Sequence, residues 1–167
     1  ISINLEYTEI LNPQIKKAIV SKIKSNNIGE YLTLEILESE KVSSFDTVNE
    51  FINDVKQFGV KIAIDDFGTG FSNYENILNL NIDYIKIDGS LIRKINEDIY
   101  LNLIKSIVLF SKQQNIKVVA EFVSDLKILR YVKNIEIDYS QGYYIGKPTH
   151  IQELFGEEDE TTTKKDN

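Results

Sequence analysis

The sequence predicts a parallel α/β fold. Two observations carry this. Six short apolar runs alternate with longer amphipathic segments along 167 residues, and each run holds an acid, amide or lysine within it or at its end. A third observation narrows the class: no Gly-x-Gly-x-x-Gly follows the first run, which counts against a Rossmann domain. Periodicity by itself leaves an open doubly wound sheet and a closed barrel both standing.

In chain order, residues 1–5 are a first strand, and residues 13–25 a helix. That helix carries Ile15, Ile19 and Ile23 at four-residue spacing, and Pro13 suits its first position. Residues 31–37 are the second strand. A helix over 43–58 follows, with Val48, Phe51, Ile52 and Val55 on one face and Gly59 as its stop signal. Strands over 60–66 and 82–87 come next, then a helix over 96–114 with Ile99, Leu103, Ile107 and Phe110 as its apolar stripe. A strand over 116–121, a short helix over 125–133, a last strand over 137–144 and a short helix over 151–155 complete the pattern. Each strand is rich in Ile, Val, Leu or Tyr, as buried parallel strands are. Residues 156–167 are polar and poor in apolar side chains, which predicts a disordered tail after a domain over 1–155.

Composition excludes several chemistries. The chain has no cysteine and one histidine, so thiolate sites, disulfides and His-rich zinc sites are out. A metal would have to be held by oxygen, which favours Mg²⁺, Mn²⁺ or Ca²⁺. The net charge of −7 and the lack of a basic stripe argue against DNA, though not against a nucleotide bridged by a cation. No apolar run spans a bilayer, so no membrane contact is expected from this segment. Ile1 is not an initiator residue, and a piece of a longer polypeptide is expected.

The informative residues are Asn4, Glu35, Asp65, Asp66, Lys86, Glu121 and Gln141, distributed over all six runs. In a parallel barrel the C-terminal strand ends meet at one rim, and catalytic groups come from several strands. Taken singly, each has a plain structural reading. Glu35 can be a strand residue paired with a lysine, Asp65-Asp66 a strand-exit turn, Lys86 a solvated edge residue, and Gln141 a backbone partner. Together they are harder to explain so, because acids are rarely buried without partners. A divalent cation, or two, plus one lysine resolves their repulsion. The chemistry this suggests is metal-assisted hydrolysis of a phosphodiester or action on another oxyanion. Gly68-Thr69-Gly70 reads as a loop beside the site.

Several segments together resemble the EAL family of cyclic-di-GMP phosphodiesterases. They are ISINLE (1–6), LTLEILESE (32–40), IAIDDFGTGFSNYENI (62–77), IDYIKIDGSLI (82–92), VVAE (118–121) and YSQGYYIGKP (139–148). The resemblance implies a TIM-like (β/α) barrel, with about six of eight strands in this chain. It implies hydrolysis of cyclic-di-GMP to pGpG with Mg²⁺ or Mn²⁺, two ions in a complete site. By motif, Asn4, Glu35, Asp65, Asp66 and Glu121 resemble metal ligands, and Lys86 with Glu121 the water-activating pair, Asp65 being catalytic as well. Gln141, Asp66, Tyr143 and Pro148 resemble substrate-binding residues. Glu38 resembles the anchor of the loop formed by residues 67–72. A cytoplasmic domain is implied, including in membrane-anchored parents, as are homodimers and attached GGDEF or sensor domains.

Two departures stand out. The Glu-Ala-Leu segment that names the family is not in these residues. After Ala120-Glu121, where the family has Gly-Val-Glu, the chain reads Phe122-Val123-Ser124. These departures motivate an alternative, a degenerate domain that binds cyclic-di-GMP or a protein partner without cleaving anything.

Overall fold

The computed structural model describes residues 1–37, 45–69 and 74–150. Its centre is one sheet of six parallel strands, in the order β1-β2-β3-β4-β5-β6. These are β1 (Ser2–Leu5), β2 (Thr33–Leu37), β3 (Lys61–Phe67), β4 (Tyr84–Ile87), β5 (Lys117–Ala120) and β6 (Tyr139–Ser140). The order never reverses, so there is no switch point of the doubly wound kind. The sheet winds in one direction, as a barrel wall does, and does not close on itself.

Local chemistry sets the helices. The first, α1 (Tyr7–Leu11), starts from a reciprocal capping box between Glu6 and Glu9. Asn12 then caps α2 (Pro13–Asn26), accepting from the Gln14 and Ile15 N–H groups, with Pro13 just inside. Next come α3 (Phe45–Lys56) and α4 (Tyr74–Leu78). Asp88 caps the short α5 (Gly89–Ile92), and Asp125 caps α7 (Leu126–Asn134) through the Ile128 N–H at 2.9 Å. Between them lies α6 (Asp98–Gln113). No helix among the described residues is long and apolar enough to cross a membrane.

Strand pleating divides the sheet into two faces. Ile36, Ile64, Ile85 and Val118 share one register row, and all are buried. This face packs against Phe51, Ile52 and Val55 of α3 and Ile104 and Ile107 of α6, and forms the core. On the opposite, concave face, Ser2, Thr33, Glu35, Ala63, Tyr84, Lys86, Val119, Tyr139 and Gln141 line a cavity of about 260 Å³. The strands therefore alternate apolar and polar, more sharply than the apolar runs suggest.

Two expectations need correction. In α6 the buried residues are Ile104, Ile107, Val108 and Ser111, whereas Ile99 and Leu103 are exposed. The four-residue steps from Ile99 to Ile107 drift around a helix of 3.6 residues per turn, so the first half of the expected stripe turns outward while Ile107 and Phe110 stay against the core. The last strand is also only two residues long. At Gly142 the chain crosses so near Phe122 and Val123 that an added Cβ would lie 2.3 Å from the Val123 nitrogen, and the run bends there. Glu38, Gly70 to Ser72, the helix over 151–155 and the tail lie outside the described residues.

Candidate active site at the mouth of the sheet

A buried lysine organises the C-terminal ends of the strands. The Lys86 ammonium donates to Glu35 Oε2 at 2.7 Å, Asp65 Oδ1 at 2.8 Å and Glu121 Oε1 at 2.9 Å. The four side chains come from β4, β2, β3 and the end of β5, and all are buried, Lys86 to 6% exposure. A solvated edge lysine is excluded. Glu35 does pair with a lysine, but within a convergent cluster. Burial disfavours the Lys86 charge, yet its hydrogen bonds to Asp65, Glu35 and Glu121 outweigh this and hold its pKa well above the ordinary lysine value.

A β-bulge brings a further acid to the same place. Ile64 pairs with Ile85 and Phe67 with Ile87, so Asp65 and Asp66 together oppose the single residue Lys86. In a regular strand these neighbours would point to opposite faces. Here Asp66 takes a left-handed φ of 55°, which aspartate tolerates better than most residues. As a result, carboxylate oxygens of Asp65, Asp66 and Glu121 all lie within 4.8 Å of one another. Burial, then the charges of Asp65 and Asp88, push the Asp66 carboxyl up. Glu121 is also pushed up, first by burial and then by Asp65 and Asp66, against the pull of Lys86. One ammonium does not neutralise this mouth, and an added cation would relieve the repulsion that remains.

The other sequence-predicted residues sit around the cluster. Asn4 is exposed on β1, with Glu35 as its register partner. Gln141 follows β6, its N–H bound to the Ala120 carbonyl at 2.8 Å and its carbonyl to the Val123 N–H at 3.0 Å. Together with Glu121, Phe122, Ser124, Gly142, Tyr143, Gly146, Lys147 and Pro148, it lines a second cavity of about 650 Å³. Thus Glu35, Asp65, Asp66, Lys86 and Glu121 converge, whereas Gln141, Tyr143 and Pro148 form an adjoining wall.

Sequence reasoning missed Asp88 and Arg93. Asp88 accepts from the Ser90 N–H at 2.8 Å, and its charge reaches Asp66. Its Asp-Gly-Ser setting was a legible helix-start signal. Arg93 lies with its guanidinium carbon 5.1 Å from the Phe122 ring centroid, a contact with no sequence signal.

The chain is similar to known proteins along most of its length. It is 41% identical over 130 residues to the cyclic di-GMP phosphodiesterase PdeA of Borreliella burgdorferi, covering 77% of this chain and 19% of that protein. It is 32% identical over 158 residues to the cyclic di-GMP phosphodiesterase PdeF of Escherichia coli, covering 93% and 21%. The chain thus spans about a fifth of the length of these curated relatives. Among solved structures, an EAL domain protein from Listeria monocytogenes superposes with a TM-score of 0.83 at 28% identity, covering 92% of this chain and 62% of that one. The EAL domain of Mycobacterium smegmatis DcpA gives 0.85 at 24% identity, covering 92% and 70%, which shows the shared fold. The family model described as the EAL domain matches residues 1–148, and on that match, with the barrel-type sheet already described, the chain belongs to the EAL domain family.

Proposed function

We propose that the protein carrying this chain hydrolyses cyclic-di-GMP to pGpG, and that the mouth of the sheet is where it does so. The observation that carries the reading is the Lys86 ammonium bound to carboxylates from three other strands, beside the close Asp65–Asp66–Glu121 triad. The names of the curated relatives support the substrate. The donor set, all hard oxygen and under-neutralised, fits Mg²⁺ or Mn²⁺, with Asp65, Asp66 and Glu121 as the holding residues and Glu35 and Asn4 completing a two-ion site. Bound there, the ions supply polarisation of a phosphoryl oxygen and a more acidic water.

The residues divide the remaining work. Water adds across the phosphorus–O3′ bond: its oxygen joins phosphorus, and a proton reaches the departing ribose oxygen. Glu121, with its raised pKa, is suited to accept the water's proton. Lys86 orients Glu35, Asp65 and Glu121 and offsets charge at the phosphate. Gln141, Tyr143 and Pro148 bound the space where a base or ribose rests. The working protein is a cytoplasmic domain that forms a homodimer, for which exposed Ile99 and Leu103 on α6 offer apolar surface, in a parent with GGDEF or sensor domains.

The test is turnover of cyclic-di-GMP by the intact protein with Mg²⁺ or Mn²⁺. pGpG should accumulate, Asp65→Asn should lose at least about a hundredfold in rate, and the 167-residue chain alone should show little or none. Full activity in Asp65→Asn would show that the site is misassigned. A second reading, binding without cleavage, is favoured by Phe122 and Ser124 in the cavity wall. It predicts tight binding of cyclic-di-GMP and no product.

A further inference from the structure

Phe122 combines a backbone and a side chain that suit each other poorly. Its φ is 52°, in the left-handed region where a Cβ crowds the following carbonyl and a bulky side chain is rare. Burial does not compensate, since the residue remains 56% exposed. A residue held against its backbone preference, without being buried for it, marks a site where the side chain serves something outside the fold.

The surroundings show what that is. The ring is braced from behind: a Cβ built on Gly89 would lie 2.3 Å from ring atom Cδ2, so only glycine leaves room for it. The Arg93 guanidinium sits 5.1 Å from the ring centroid, within cation–π range. The exposed part of the ring lines the 650 Å³ cavity together with Glu121, Gln141, Tyr143 and Lys147. Lys147 in turn lies 5.9 Å from the Tyr143 ring centroid. The cavity therefore has a carboxylate end shared with the phosphoryl chemistry and an aromatic, cationic end a side chain away. A rigid, braced aromatic surface next to groups that handle phosphate is the arrangement that receives a nucleobase by stacking.

We propose that Phe122 is an affinity-determining residue whose ring stacks on one purine of the ligand while the phosphate reaches the Glu121–Lys86 cluster. This rests on the cyclic-dinucleotide reading of the site. The large side chain next to Glu121 is then a gain in binding and not a plug.

The test compares the intact protein with Phe122→Gly and Phe122→Trp. Equilibrium titration with cyclic-di-GMP, and with GMP as a one-base probe, is carried out with Ca²⁺ replacing Mg²⁺ and Mn²⁺ so that the oxygen ligands stay neutralised, the nucleotide is checked for absence of product, and melting temperature is recorded in parallel. Phe122→Gly should weaken binding about tenfold, the scale of one base–aromatic stack. Its melting temperature should be unchanged or higher, because glycine suits the left-handed backbone. Phe122→Trp should keep affinity within about threefold, since it preserves a stacking surface. Equal binding by wild type and Phe122→Gly overturns the proposal and leaves the site reading intact. Weaker binding accompanied by a lower melting temperature, and not rescued in Phe122→Trp, assigns the ring a structural role and also overturns it. If wild type binds neither nucleotide, both readings fail.

Discussion

Lys86 is the residue on which the mouth of the sheet depends. It is buried against three carboxylates at 2.7–2.9 Å, and none of those acids has another lysine contact within salt-bridge distance among the described residues. Removing one member of a buried ionic cluster leaves uncompensated charge, which costs far more than the cluster's net contribution to stability. Lys86→Met should therefore destabilise the fold by about 3–5 kcal/mol, read as a lower urea midpoint, and should abolish turnover. A midpoint within error of wild type would mean that the ammonium is not structurally required. The sequence showed Lys86 inside an apolar run but left a solvated edge position open. Only the parallel register, which places β4 between β3 and β5, decides for burial, because register is a long-range property absent from local pattern.

At the other end of the strands, one device occurs twice. Asp83 accepts from the Ile62 N–H at 3.0 Å and pairs with Lys61 and Lys56; Asp138 accepts from the Val118 N–H at 2.9 Å and pairs with Lys117. Each aspartate opens a strand and locks it to the strand before. Burial would raise both pKa values, but the hydrogen bonds from lysine and backbone prevail and hold them below the ordinary carboxylate value. A depressed carboxylate contributes stability that is present above its unfolded pKa and is lost as pH falls through its folded pKa. Asp83→Asn should cost about 1–3 kcal/mol near neutrality, and should show a smaller further loss than wild type when the pH drops below about 4. Melting curves across pH 3 to 7 check this, and parallel curves for the two proteins would refute it. Both aspartates stand in Ile-Asp-Tyr triplets, so the repeat was visible in the letters. Its meaning was not, since the backbone partner lies some twenty residues earlier on a neighbouring strand.

For the molecule as a whole, the core and the mouth respond to different conditions. The apolar face is packed against α3 and α6 whatever the solvent contains. The mouth carries more carboxylates than Lys86 can balance; burial first, and then the neighbouring carboxylates, push the Asp66 and Glu121 carboxyls up. A ligand that binds only the folded state raises the melting temperature with its concentration. Mg²⁺ or Mn²⁺ at 100 times its dissociation constant should therefore add about 2.7 kcal/mol, and Asp66→Asn should shrink that gain. A melting temperature indifferent to either ion would remove the metal reading. At this scale the sequence was most legible: six alternations pointed to the parallel α/β class, and the acids at strand ends pointed to side chains that the fold brings together at one mouth. It was least legible where geometry departs from regular strands, at the bulge, at Gly142 and at Phe122, because such irregularities answer to the neighbours across the sheet.

The bulge in β3 separates what the ladder needs from what the mouth needs. With Asp66 excised, Ile64, Asp65 and Phe67 would fall opposite Ile85, Lys86 and Ile87 one for one, an unbroken ladder with Asp65 still facing Lys86. The sheet has no use for the extra residue. Its presence places a third carboxylate beside Asp65 and Glu121, a feature the ladder alone does not call for.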